Sequence, residues 1–115
     1  MTGHLVTLSV AGQGITTVPA SISGLTYLEY FGVYHDEITS LPDEIGELTN
    51  LQYLEILNNH LTSLPDTLGN LTNLIEIDVS RNELTSLPPS LGSLVQLQRL
   101  YLAVNNFTTV PELVW

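Results

Sequence analysis

LQYLEILNNHLTSLP, residues 51–65, carries three features in one stretch: apolar residues alternating at Leu54 and Ile56, an amide at Asn59, and a leucine–proline pair at Leu64 and Pro65. Alternation of this kind marks a short strand with one buried face. The arrangement also occurs 23 residues earlier as LEYFGVYHDEITSLP and 23 residues later as LIEIDVSRNELTSLP. A leucine leads every copy, at Leu5, Leu28, Leu51, Leu74 and Leu97, with no insertion between them. A fixed period of about 20–50 residues signals a stacked array in which each unit buries its apolar face only against its neighbours. The length of 115 residues therefore counts turns: five starts in a single domain spanning 1–115, the last turn cut short at Trp115.

A strand repeated at one period must pair in parallel with its copies, about 4.8 Å apart. After each proline the apolar residues fall three apart, as at Ile45 and Leu48. That spacing suits short 3₁₀ or α turns, at whose start a proline's missing N–H is harmless. Written generally the repeat is LxxLxLxxNxLxxLPxxLxxL, which resembles the leucine-rich repeat family in the 23-residue form of its bacterial and intracellular eukaryotic members. The resemblance covers nearly the whole chain. It implies an α/β fold, a right-handed solenoid forming a curved horseshoe segment. A five-stranded parallel sheet would line the concave face, with short 3₁₀ or α turns or loops on the convex face. Strands are expected over 7–11, 30–34, 53–57, 76–80 and 99–103.

One polar column runs through the turns: Gln13, Asp36, Asn59, Asn82 and Asn105. An amide donates and accepts at once, so it can serve backbone groups of adjacent turns that a bending loop leaves unpaired. The set reads as a structural ladder. Asp36 departs from it, because a carboxylate has no proton to donate, and altered bonding is expected there. Two further columns hold Thr16, Thr39, Thr62, Thr85 and Thr108, followed by Thr17, Ser40, Ser63, Ser86 and Thr109. They read as turn chemistry, with hydroxyls on nearby backbone. The competing reading is an ice-binding array, in which only one column could face outward.

The outward strand positions are not dictated by the buried pattern. Across the sheet they run Thr7, Tyr30, Tyr53, Glu76, Arg99, then Ser9, Gly32, Glu55, Asp78, Tyr101, then Ala11, Tyr34, Leu57, Ser80, Ala103. A fourth column holds Gly12, His35, Asn58, Arg81 and Val104. Exposed aromatics of this kind anchor protein interfaces. The plainer reading has them shielding the sheet and packing across strands. The candidate partner-binding residues are Tyr30, Tyr34, His35, Tyr53, Glu55, Leu57, Glu76, Asp78, Arg81, Arg99 and Tyr101. Carboxylates suit calcium, but ion pairing of Glu76 with Arg99 and of Asp78 with Arg81 is the favoured reading, and no metal is expected.

Twelve acids against two arginines and no lysine give a formal charge of −10. Such a surface repels phosphate backbones and anionic lipid, which excludes nucleic-acid and membrane-surface partners. Without cysteine there is no disulfide, thiolate metal site or cysteine nucleophile, and the compartment stays open. His35 and His60 show no zinc-site spacing and are expected to be solvated or interfacial. No glycine-rich phosphate loop or serine–histidine–acid set appears, and an open concave sheet offers no dry cleft in which to shift a pKa. Neither catalysis nor a cofactor is expected. No run approaches the ~20 apolar residues of a membrane span, and the first residues lack a signal peptide's charge and apolar run.

The expected function is that of a non-catalytic protein–protein interaction scaffold, with a protein or peptide on the concave face. The alternative is a structural or self-assembling repeat segment of a larger protein, with a calcium- or ice-binding surface behind both. No preceding turn covers Leu5, Leu8 and Val10, and no following turn covers Leu100, Leu102, Phe107 and Val110. Weak homo-oligomerisation through these uncapped ends is expected, unless Val114 and Trp115 fold over the last turn.

Overall fold

Five parallel strands form one sheet in chain order: β1 (Thr7–Ala11), β2 (Tyr30–Tyr34), β3 (Tyr53–Leu57), β4 (Glu76–Asp78) and β5 (Arg99–Tyr101). The computed structural model describes residues 4–111. Val114 and Trp115, expected to close the last turn, lie outside the described residues. The 23-residue period sets the register, so that Tyr30, Tyr53, Glu76 and Arg99 are successive partners. Leu8, Phe31, Leu54, Ile77 and Leu100 are partners in the same way on the opposite, inward face.

β1 to β4 are each followed by a convex 3₁₀ turn: Ala20–Gly24, Asp43–Glu47, Asp66–Asn70 and Pro89–Ser93. A proline precedes each turn, and its carbonyl accepts the first amide three residues on, as in Ile45 N–H to Pro42 at 3.0 Å. Extended prolines at φ near −70° supply that carbonyl without an N–H to satisfy. The short three-residue apolar spacing selects 3₁₀ geometry, in which residues i and i+3 share a side.

Burial follows position in the stack. Leu51, Leu54, Ile56, Leu61, Leu68 and Leu74 are fully enclosed, whereas Leu8, Ile15, Leu97 and Leu100 only pack against the edges of the core. A middle turn has neighbours on both sides; an end turn has one.

β4 and β5 end two residues short of the expected 76–80 and 99–103. The Ser80 amide, which a continued ladder would turn toward β3, instead binds Asp78 Oδ1 at 3.0 Å. The facing carbonyl of Ile56 is taken by Asn82 Nδ2 at 2.7 Å, and that of Val79 by Asn82 and Asn105 Nδ2 at 2.9 and 3.0 Å. Side chains take these groups, while backbone pairing continues beside them through Val79 N–H to Tyr101 O at 3.0 Å and Asn58 N–H to Ser80 O at 3.2 Å.

The asparagines join turn to turn. Asn82 Oδ1 accepts the Leu61 amide at 3.0 Å, and Asn59 Oδ1 accepts the Ile38 amide at 3.2 Å. Asn59 Nδ2 donates back to Val33 O and Leu57 O, both at 3.0 Å. Asp36 Oδ1 accepts the Gln13 and Ile15 amides at 2.9 and 3.0 Å, but its buried Oδ2 has no partner. Gln13 does not reach a neighbouring turn; its side chain donates to Ala11 O two residues back.

The threonine columns depart from expectation. Among the described residues the hydroxyls of Thr16, Thr39, Thr62 and Thr85 make no hydrogen bond and lie exposed. At this column the contact between turns is through the backbone, Thr62 N–H reaching Thr39 O of the preceding turn at 3.2 Å. The hydroxyls that do tie turns together are on the 3₁₀ segments: Thr67 to Asp43 O and Ser90 to Asp66 O, each at 2.7 Å. Turns approach so closely there that a Cβ on Gly46 would lie 2.6 Å from the Thr67 Cβ.

Candidate binding face

Thr7, Ser9 and Ala11 on β1, Tyr30, Gly32 and Tyr34 on β2, and Tyr53, Glu55 and Leu57 on β3 are register partners that point away from the core, and the concave face assembles from them. Glu55 stands at its centre. Its Oε1 accepts the Tyr30 hydroxyl at 2.6 Å and the Tyr34 hydroxyl at 2.5 Å. Both tyrosines are on β2, and Gly32 between them is the register partner of Glu55. A Cβ at Gly32 would lie 2.5 Å from the Tyr34 hydroxyl oxygen, so only glycine leaves room for that ring to lie back across the sheet. Gly32 occupies an outward position, and its absent side chain is what lets two phenols converge on one carboxylate.

Burial, and after it the hydrogen bond to Glu55, pushes the Tyr30 phenol above its ordinary range. It therefore remains a donor. Its ring lies 6.5 Å from that of Tyr53 at a tilt of 40°, within the spacing of a favourable aromatic pair. Tyr30, Tyr34, Tyr53 and Leu57 are half-buried, and Tyr101 is exposed. The plainer reading holds for Tyr30 and Tyr53, whose rings pack across neighbouring strands.

Arg99 Nε binds Glu76 Oε1 at 2.8 Å, a contact between register partners that keeps the guanidinium firmly charged. Arg81 does not pair with Asp78 as expected. Among the described residues it has no acidic partner, and Asp78 turns to the Ser80 amide instead. His35 and Arg81, grouped with the strands in the sequence, lie beyond the strand ends. They belong to a column, Gly12, His35, Asn58, Arg81 and Val104, in which every residue is left-handed, with φ between 54° and 63°. This column turns the chain out of the sheet, so its side chains line the rim.

His60, expected to be solvated or interfacial, is exposed and meets Glu83 Oε2 at 2.7 Å through Nδ1. The two are 23 residues apart, a one-turn spacing that marks the pair in the sequence. Among the described residues no three histidine, aspartate or glutamate side chains converge as a metal would require.

A family model described as a leucine-rich repeat region matches residues 43–114. The chain belongs to the leucine-rich repeat family. No curated protein matches it in sequence. Among solved structures it is similar to a leucine-rich repeat protein of Leptospira interrogans, at 33% identity and a TM-score of 0.86 over 92% of this chain and 33% of that one. The plant peptide hormone receptor RGFR1 in complex with RGF2 matches at 29% identity and a TM-score of 0.82, over 90% of this chain and 17% of the receptor. Internalin C2 of Listeria monocytogenes matches at 31% and 0.80, over 92% of this chain and 45% of the internalin. This leucine-rich repeat chain thus spans less than half the length of each of these neighbours.

Proposed function

We propose that this leucine-rich repeat segment is a non-catalytic module that binds a protein or peptide across its concave sheet. The observation that carries this reading is the contrast between the two faces of one sheet. The inward leucines and isoleucines are consumed by the core, while Tyr53, Leu57 and Tyr101 keep accessible apolar surface beside fixed polar groups on Glu55, Glu76 and Asp78. Rigid aromatics that need little further ordering make strong anchors. A neighbour of the same fold is a peptide hormone receptor solved with RGF2, which supports a peptide-sized ligand. The test is capture of a partner by the chain, compared with a Tyr53→Ser/Leu57→Ser/Tyr101→Ser variant. Loss of the partner with an unchanged circular dichroism spectrum is expected; retention of the partner overturns the concave site.

One observation favours a second reading, assembly end to end. Among the described residues no strand pairs with the outer edge of β1, and Leu5 and Val6 beside it are 46% and 45% exposed. An open strand edge is a template for another chain, while the charge of −10 opposes approach at low salt. Sedimentation across a salt series tests it: association rising with salt supports assembly, and a monomer throughout removes it.

A further inference from the structure

Resting on the concave-face reading, we propose that this face takes an extended peptide through an arginine side chain, seated over Glu55 and Asp78. Charge complementarity is the first argument. Glu55 and Asp78 are register partners on β3 and β4, so two like charges stand side by side about 4.8 Å apart, an arrangement that costs stability in a sheet. Neither arginine relieves it among the described residues: Arg99 is committed to Glu76, and Arg81 lies beyond the strand without an acidic partner.

The second argument is the direction of the free lone pairs. Tyr30 and Tyr34 both bind Oε1 of Glu55, and the Ser80 amide binds Oδ1 of Asp78. Each carboxylate is therefore held by neutral donors through one oxygen, and among the described residues neither Glu55 Oε2 nor Asp78 Oδ2 has a donor. Neither is a buried unsatisfied atom and both residues are half-buried, so each free oxygen keeps some accessible surface.

Aromatic walls complete the seat. Tyr101 is the β5 partner of Asp78, and Tyr53 precedes Glu55 on the same face. A guanidinium is flat and forked, so it can donate to both carboxylates and lay its face on a phenol ring. An ammonium is a single compact charge and serves one carboxylate at a time.

The test uses the full chain labelled for amide shift mapping, titrated with acetyl-Gly-Arg-Gly-amide and with its lysine and citrulline counterparts. The arginine peptide is expected to shift amides of β3 to β5 and to bind roughly tenfold tighter than the neutral citrulline peptide, as loss of charge-assisted hydrogen bonds implies. Glu55→Gln/Asp78→Asn keeps the acceptors for the tyrosines and for Ser80, and should bring arginine down to the citrulline level. Asp43→Asn/Glu44→Gln makes the same charge change on the convex turn and should leave binding within about twofold, as for exposed charges elsewhere. Equal loss in both variants, or no arginine binding at millimolar peptide, overturns the arginine seat. Citrulline binding as tightly to the same amides also overturns it but leaves the concave-face reading standing. Shifts confined to the convex turns overturn both.

Discussion

Asp36 and Asn59 occupy the same column one turn apart, yet only Asn59 presents a nitrogen to the turn behind it. Both accept amides through Oδ1. Asn59 Nδ2 donates to two carbonyls, whereas Asp36 Oδ2 is buried without a partner. One turn back, the equivalent carbonyls are those of Val10 and Tyr34. Asp36→Asn restores a donor there and should raise stability by about 1–3 kcal/mol, the usual cost of a buried polar atom left unpaired. A higher urea midpoint at constant slope is the expected result, and an unchanged midpoint would count against it.

Asn82 is a buried rung, with Oδ1 on Leu61 N–H and Nδ2 on the carbonyls of Ile56, Val79 and Ser80. Asn82→Ala should cost about 1–3 kcal/mol. Asn105→Ala should cost less, because that rung is half-buried and water can reach the groups it leaves. Equal losses at the two positions would show that burial does not set the value of a rung.

Val104 holds φ at 56° although it is β-branched, and its side chain is 63% exposed. Left-handed backbone costs a non-glycine residue on the order of 1 kcal/mol, and more when it is branched. Val104→Asn or Val104→Gly therefore removes strain at little loss of packing, and melting should move upward by a few degrees.

Gly46 and Gly24 open onto different surroundings. A Cβ at Gly46 meets Thr67 backbone oxygen at 2.7 Å, while one at Gly24 meets nothing within 4 Å. Gly46→Ala should destabilise by about 1–3 kcal/mol through forced separation of two turns, and Gly24→Ala should be neutral or slightly favourable. Denaturant midpoints of the pair measure the difference directly.

Tyr30 links the face to pH. A phenol whose pKa is raised on folding stabilises the fold while protonated, so its contribution is complete below the ordinary value of about 10 and is lost as pH rises above that value. The native chain should lose stability above pH ~10 more steeply than Tyr30→Phe. Parallel curves would disconnect the tyrosine from the fold's alkaline limit.

The period of 23 residues, carried by Leu5, Leu28, Leu51, Leu74 and Leu97, by itself determined the parallel sheet, its register, the inward residues and the proline-led convex turns. Those properties depend only on which residues recur and at what spacing, and each turn repeats the same local solution. The sequence also named the outward set that forms the concave face. It did not reveal that Gly32 admits the Tyr34 ring, that Tyr30 and Tyr34 share one oxygen of Glu55, or that Asp78 leaves Arg81 for the Ser80 amide. Nor did it show that His35, Asn58, Arg81 and Val104 are left-handed. Only the tertiary structure decided these, because each depends on the space between side chains of adjacent turns. Periodicity specifies which residues become neighbours, while rotamers, hydrogen-bond competition and backbone handedness decide what those neighbours do.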